Sequence, residues 1–211
     1  MSIERVFGRL RGALAQPQEA RHIGIDRTPR GERSAAVLAL FTDDGDPSLT
    51  FITRATTMRR HAGQIALPGG AVDDTDVDRA DTALREAREE IGLDPTQVTV
   101  LGQLPALWVP ASRYDVTTVV GAWPGGDELT VVDPREVAEV HHYRVSELAA
   151  PETRVMGRHP SGFMGPSFVL GDQFIWGLTG HLVDWVLDLA GWSLPWDRGR
   201  VADVPARFLR D

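Results

Sequence analysis

The stretch that most constrains this chain runs from Gly69 to Leu93 and contains three closely spaced glutamates, Glu86, Glu89 and Glu90. In a helix, residues three and four positions apart share a face, so these carboxylates would crowd one side. Such crowding is unfavourable unless a cation compensates it, and hard oxygen ligands at this spacing suit magnesium or manganese. The stretch therefore predicts a helix that carries a divalent metal site.

The same stretch carries signals for how the helix packs, where it ends and what precedes it. Leu84, Ala87 and Ile91 fall on another face at a spacing that packs against a core. Gly92 is placed to end the helix in a left-handed conformation. A Pro-Gly-Gly turn precedes the helix, and its backbone carbonyls, including that of Gly70, could join the metal site.

The alternative is a solvated glutamate-rich face, in which Arg85 and Glu89 form an ordinary i, i+4 pair. The conjunction of a Gly-Gly turn, a helix, three glutamates and a terminal glycine instead resembles the Nudix box. That pattern is Gly, five residues, Glu, seven residues, then Arg-Glu-U-x-Glu-Glu-x-Gly-U, where U is aliphatic. The segment from Arg85 to Leu93 matches if Ala87 counts as aliphatic. The first half departs from the pattern, because Asp76 replaces its Glu and one residue is extra before Arg85.

The resemblance implies a role for each residue of the second half. Glu86 and Glu90 would hold the metal ions, with Glu89 and the backbone of Gly70 beside them. Arg85 would orient a glutamate rather than contact the substrate. These residues are the predicted catalytic and metal-binding set.

Two points of the site stay open in the sequence. The base that deprotonates the attacking water is Glu89 or a later acid, Glu136 or Glu139. The departure from the pattern leaves Asp76 without an assigned role. The extra residue is predicted in the loop before the helix, where an insertion leaves the helical register intact.

A second resemblance lies upstream, where the chain reads TFITRATTMRRHAGQIALPGG. It is similar to the additional signature of coenzyme A pyrophosphatases within the Nudix superfamily, although Ile52 to Arg54 stands one position tighter and Leu67 replaces the usual Phe. Arg guanidinium groups bind phosphate oxygens bidentately. The segment therefore predicts four substrate-binding residues: Arg54, Arg59, Arg60 and Gln64. For the three arginines and for His61, the alternative is a solvated basic loop.

Composition excludes several other classes of protein. The chain has 211 residues, a net charge of -8, no basic tail and no cysteine. Nucleic acid is therefore not an expected partner, and disulfides or a cysteine nucleophile are impossible. No apolar run approaches the ~20 residues of a membrane span, and the N-terminus lacks the features of a signal peptide. We expect no membrane partner and a cytoplasmic location.

The order of predicted elements indicates an α/β fold with one domain. Strands are predicted at Ala35–Phe41, Leu49–Thr53, Ile65–Leu67, Val98–Leu104, Thr117–Trp123 and Val137–Val145, and a hairpin follows from Phe168 to Trp176. Helices are predicted near the N-terminus, at Arg79–Ile91 and at Ile175–Ala190. Loops are predicted at Pro105–Asp115 and Ala150–Gly165, with a partly ordered surface tail from Gly191. This order fits a mixed sheet between helices, and the resemblance implies the same Nudix-like α/β/α sandwich with a mixed central sheet, its core at about residues 33–190.

Together, the two resemblances imply a metal-dependent diphosphatase that cuts coenzyme A or a close derivative. The implied products are 4′-phosphopantetheine and adenosine 3′,5′-bisphosphate, and the implied cofactor is Mg2+ or Mn2+. One alternative is hydrolysis of another nucleoside diphosphate, such as ADP-ribose or NADH. The other is a catalytically silent domain that binds a nucleotide as a sensor, against which the intact glutamate trio argues.

Overall fold

The computed structural model describes residues 3–18, 28–58, 61–126 and 128–209. Two of the predicted substrate-binding residues, Arg59 and Arg60, lie outside these ranges. The helices are α1 (Ile3–Leu14), α2 (Arg79–Ile91), α3 (Val145–Ala149) and α4 (Gly177–Ala190), with short 3-10 turns at Pro95–Gln97, Pro151–Thr153 and Ala206–Phe208.

Strands β1 to β8 form a mixed sheet: β1 (Ser34–Thr42), β2 (Ser48–Arg54), β3 (Ile65–Ala66), β4 (Gly69–Ala71), β5 (Thr99–Gln103), β6 (Leu107–Val109), β7 (Tyr114–Trp123) and β8 (Val137–Arg144). The central path runs β3-β2-β1-β7-β5, while β4 pairs with β1, β6 with β7 and β8 with β2. The pair β1–β7 is parallel, and the other pairs of this sheet are antiparallel. Both strands of the parallel pair are long and mostly buried, as expected for strands covered on both faces.

Alternation along β1 sends its side chains to two separate cores. Leu38 and Leu40 join a cluster with the apolar face of α2, whereas Ala39 and Phe41 join a cluster with α1 and α4. Successive side chains of a strand point to opposite faces, so β1 holds both layers of helices. The predicted α/β architecture, with a mixed sheet between helices, is confirmed.

A second, four-stranded sheet was not predicted. It consists of β9 (Arg154–Arg158), β10 (Met164–Leu170), β11 (Gln173–Ile175) and β12 (Val201–Asp203), in the order β11-β10-β9-β12. The β10–β11 hairpin agrees with the sequence, but β9 lies in a predicted loop and β12 in the predicted surface tail. Prolines and glycines lie around these short strands and obscure any alternation, and β12 depends on pairing with β9, which is distant in sequence.

Other boundaries shift by small amounts. Strand β6 lies inside the predicted loop Pro105–Asp115, and α4 begins at Gly177 rather than Ile175. Val204 and Phe208 of the predicted surface tail are buried against Val155 and Phe174. In the described part of the chain, no helix is both long and apolar enough to cross a membrane.

Candidate active site

The sequence predicts a turn at Gly69 and Gly70, but these residues form the short strand β4, and helix α2, which carries the glutamates, docks on it. Strand β4 continues the sheet beside β1, and α2 packs against both strands. Asp78 caps the N-terminus of α2 by accepting a hydrogen bond from the backbone N–H of Asp81 at 2.9 Å. Gly92 ends the helix with φ 74°, which confirms the predicted left-handed cap. Ala87 and Ile91 are buried in the core, as predicted, and Leu84 is partly buried.

The three glutamates lie on one side of the helix, as predicted, but they differ in how far they are exposed to solvent. Glu90 is 2% exposed, whereas the side chains of Glu86 and Glu89 are 15% and 59% exposed. Consecutive helical residues are rotated by about 100°, so Glu90 turns toward the sheet and Glu89 toward solvent. Glu86 lies between them, because it is one turn before Glu90 on nearly the same line.

Glu90 is held against strand β4, which precedes the helix. Its Oε2 accepts a hydrogen bond from the backbone N–H of Gly69 at 2.9 Å. Its Oε1 is buried and has no hydrogen-bond partner among the described residues. Burial raises the pKa of Glu90 to about 8, against the opposing effects of the Gly69 N–H and the Arg54 charge. A buried carboxylate oxygen without a partner is costly unless a proton or a cation satisfies it.

Two glycines make this close approach of helix and strand possible. A Cβ on Gly69 would come within 2.3 Å of the carbonyl oxygen of Ala36, and a Cβ on Gly70 would come within 2.5 Å of the Glu86 carboxylate. Gly69 also has φ 148°, a backbone conformation that disfavours other residues. Because these two residues have no side chains, the Glu86 carboxylate can lie directly against the backbone of Gly70.

Arg85 connects the helix to the loop before it. Its Nε and Nη2 donate to the two carboxylate oxygens of Asp76 at 2.8 and 3.0 Å, and Nη2 also donates to the carbonyl of Ala71. Its Nη1 donates to Glu86 at 3.0 Å and to Glu89 at 3.4 Å. These contacts agree with the prediction that Arg85 orients a glutamate, and Glu86 has the closer contact. Burial still raises the pKa of Glu86, although Arg85 opposes that effect.

Sequence reasoning missed the part that Asp76 plays. Its side chain is almost fully buried and also accepts a hydrogen bond from Thr82 Oγ1 at 2.8 Å. The two bonds from Arg85 hold the pKa of Asp76 well below its usual range, so it stays ionised. The signal in the sequence was an acid six residues after Gly70, the position at which the box pattern has its first Glu.

The donor set fits a hard divalent cation. Glu86 and Glu90 supply carboxylate oxygens on one line of the helix, and the buried Oε1 of Glu90 has capacity to coordinate. Within the described ranges, no three His, Cys, Asp or Glu side chains already converge closely enough to hold a metal ion. Glu89 and the Gly70 backbone remain predicted ligands, and this all-oxygen set suits magnesium or manganese better than zinc.

The basic segment, residues 54–64, contributes Arg54 to this region. The Arg54 charge lowers the pKa of Glu90, and its Nε is buried without a hydrogen-bond partner among the described residues. Gln64, by contrast, has both ends of its side-chain amide engaged within the protein. Its Nε2 donates to the carbonyl of Phe208 at 3.0 Å, and its Oε1 lies 3.2 Å from Nδ1 of His61. Gln64 therefore makes hydrogen bonds within the protein that the sequence did not predict. Its contact with the substrate stays a prediction.

The two later acids lie in different places. The charge of Glu136 raises the pKa of both Glu86 and Glu90, so Glu136 lies near these two glutamates. Glu139 lies on β8, one residue before Val140, which packs on the α2 side of the sheet. Because side chains alternate along a strand, Glu139 points to the opposite face, where it pairs with His141. Among the candidate bases, the geometry favours Glu89 and Glu136.

Comparisons with known proteins show what the chain is similar to. The sequence profile of the NUDIX domain family matches residues 32–161. The "Uncharacterized Nudix hydrolase NudL" of Cronobacter sakazakii is 33% identical over 190 residues, which cover 87% of this chain and 92% of that protein. The protein of the same name from Escherichia coli K12 is 35% identical over 171 residues, covering 75% and 83%. A crystal structure of a NUDIX hydrolase from Alicyclobacillus acidocaldarius aligns with a TM-score of 0.49 and 19% identity, over 74% of this chain and 91% of that one.

Proposed function

The chain belongs to the NUDIX domain family, and on that premise we propose that it hydrolyses the diphosphate of coenzyme A or a close derivative with magnesium or manganese. As a Nudix hydrolase it acts on diphosphate bonds in general, and such enzymes generally use divalent metal ions. The proposal concerns the substrate, the choice of metal and the residues, all within one Nudix domain.

The observation that carries the proposal is that the carboxylates of Glu86 and Glu90 lie side by side against the backbone of Gly69 and Gly70. When bound there, a divalent cation would neutralise diphosphate oxygens and lower the pKa of water. Glu86 and Glu90 would hold the ion, and Arg85, fixed by Asp76, orients Glu86. A water molecule attacks one phosphorus of the diphosphate and gives its proton to Glu89 or Glu136, while the bond from that phosphorus to the bridging oxygen breaks and the other phosphate group leaves.

The coenzyme A part of the proposal is supported by the basic segment and by the resemblance in sequence upstream of the turn. Coenzyme A carries a diphosphate and a ribose 3′-phosphate, so it offers more anionic oxygens than ADP-ribose or NADH. Arg54 lies close to Glu90 with a buried N–H that has no partner in the described ranges. An anionic substrate at this site would supply that partner.

The test is a panel of diphosphates, with products identified by mass. The purified protein is incubated with coenzyme A, ADP-ribose and NADH in magnesium or manganese, and in excess EDTA. We expect 4′-phosphopantetheine and adenosine 3′,5′-bisphosphate from coenzyme A, and no turnover in EDTA. Preference for ADP-ribose or NADH would refute the substrate, and full turnover in EDTA would refute the metal requirement.

A matched substrate isolates the role of the 3′-phosphate. Dephospho-coenzyme A differs from coenzyme A only in lacking that group. Loss of one charge-assisted contact should lower kcat/KM by roughly tenfold to a hundredfold. Equal efficiency on both compounds would show that the enzyme does not recognise the 3′-phosphate.

A further inference from the structure

The last residues that the structure describes, 201–209, lie against the second sheet. Strand β12 pairs in parallel with β9, and Val204 N donates to the carbonyl of Arg158 at 3.0 Å. Phe208 follows in a 3-10 turn and is 3% exposed, packed against Val155 and Phe174. Arg207 donates to the backbone carbonyl of Asp172. The second sheet therefore fixes the position of the Phe208 carbonyl.

This carbonyl accepts the hydrogen bond from Gln64, which is 144 positions away in sequence. Gln64 lies immediately before β3, and its own backbone oxygen accepts a bond from Arg54 N at 2.9 Å. Gly63 N donates in turn to the carbonyl of Arg54 at 3.0 Å. Backbone hydrogen bonds thus join the two ends of the basic segment, and we call this joined part its base. The Gln64 side chain connects the base to the C-terminal turn Ala206–Phe208.

At this base, residues 61–64 are held in a defined conformation. His61 has φ 57°, an uncommon conformation for a residue with a side chain, and its ring contacts the Gln64 amide oxygen. Such conformations persist only where surrounding contacts determine them. The Gln64 amide, with one partner on the segment and one on the C-terminal turn, is the contact that links the two.

We propose that the C-terminal turn Ala206–Phe208, acting through Gln64, positions Arg54 for the anionic substrate. Gln64 is then a positioning residue rather than a substrate ligand, and the turn Ala206–Phe208 supports the substrate site. This inference rests on the proposed function, because it assigns Arg54 the diphosphate or the phosphate of the substrate. The carboxylates that hold the metal are untouched, so binding should suffer while the chemical step does not.

The test is a double-mutant cycle read as KM and kcat for coenzyme A. Gln64→Met keeps the length of the side chain but removes both hydrogen bonds, and a stop after Ala206 removes the Phe208 carbonyl. Each change should raise KM by roughly threefold to tenfold, with kcat within about twofold of wild type. The combined variant should have the KM of either single variant, because the two changes break the same contact. Arg158→Ala, which removes only the exposed pair with Asp203, is the matched control and should leave KM unchanged.

An unchanged KM in Gln64→Met, or KM effects that multiply in the combined variant, would overturn the inference. A fall in kcat at unchanged KM would overturn it equally. If the shortened chain does not fold, Arg207→Ala replaces it, since it loosens the turn by removing the contact with Asp172. If the wild-type protein hydrolyses ADP-ribose instead of coenzyme A, the proposed substrate is wrong, and KM and kcat of all variants are measured with ADP-ribose. If the protein hydrolyses neither compound, the dissociation constant for ADP is measured for each variant instead.

Discussion

At the scale of single residues, Glu90 combines burial with a missing partner. One of its oxygens is bonded to Gly69 and the other has no partner in the described chain. A bound cation would compensate the buried charge, and a proton compensates it otherwise. Glu90 is therefore the residue whose replacement best separates a metal ligand from a structural carboxylate.

Glu90→Gln should lower kcat by orders of magnitude without unfolding the protein. The substitution keeps the shape of the side chain but removes an anionic ligand, and a metal supplies several kcal/mol of transition-state stabilisation. Without metal the melting temperature should be unchanged or higher, and magnesium should raise it less than in wild type. Arg88→Ala, on the exposed face of the same helix, should change neither property. Near-normal turnover with an undiminished magnesium shift would remove Glu90 from the site.

The raised pKa of Glu90 predicts how the metal-free protein responds to pH. Its pKa is about 8 in the folded protein against an ordinary value of 4.5. The folded state therefore holds an extra proton between these values, and this contribution to stability is lost as pH rises toward 8. We expect the melting temperature in EDTA to fall from about pH 5 to about pH 8.5, and to fall less in Glu90→Gln. Parallel curves for the two proteins would contradict the raised pKa. The lowered pKa of Asp76 has the opposite sign, but its effect lies below pH 3.8.

At the scale of elements, the loop before α2 shows how the extra residue is accommodated. A turn closed by the bond from Asp76 N to the carbonyl of Asp73 folds the loop back on itself. This places Asp76 under Arg85 although Asp is one methylene shorter than the Glu of the box pattern. The helix register from Asp78 to Gly92 is intact, in agreement with an insertion confined to the loop.

Asp76→Asn should weaken both folding and catalysis. Arg85 would lose its ionised partner, which we expect to lower the free energy of unfolding by about 1.5–3 kcal/mol. Glu86 would lose its fixed neighbour, so kcat should fall by more than tenfold. Urea denaturation and initial rates measure the two effects. The control is Asp74→Asn, which changes an exposed acid of the same loop. If Asp76→Asn behaved like this control, the Asp76–Arg85 pair would have no role in stability or catalysis.

The elements differ in how well the sequence predicted them. The long runs of β1, β7 and α2 have periodicity and end signals of their own, so their existence and type followed from the chain. Strands β6, β9 and β12 are too short to show a clear periodicity, and β12 pairs with β9, which is distant in sequence. The same holds for Gln64: its partner is a backbone carbonyl 144 positions away, and no side-chain pattern encodes such a contact. The glutamates were found by spacing, but their unequal burial depended on how α2 rotates against the sheet.

At the scale of the whole molecule, one buried ion pair joins the second sheet to α4 and the C-terminal segment. Arg154 of β9 is fully buried, contacts Asp184 of α4, and lies 4.6 Å from the ring of Phe168 and 4.7 Å from that of Trp196. Burial lowers the pKa of Arg154, and Asp184 opposes that effect. A buried pair of this kind is costly to break from one side.

Asp184→Asn should therefore destabilise the protein by about 3–5 kcal/mol, because it leaves the Arg154 charge buried and uncompensated. Urea denaturation of the metal-free protein measures the change. The double variant Arg154→Met with Asp184→Leu removes both charges and should recover most of the loss. A double variant as unstable as Asp184→Asn would show that the pair contributes through packing rather than charge.

The parallel pairing of β1 with β7 has a consequence for how the chain reaches its native state. Ser34–Thr42 matches Asp115–Trp123 residue for residue, and α2 with its glutamates lies inside the long segment between them. The entropy of closing that segment opposes pairing before any core forms, and such non-local contacts slow folding. Since α2 packs on the sheet that this pairing completes, the metal-binding face would be assembled late in folding. An ion that binds there would act mainly by slowing unfolding rather than by accelerating folding.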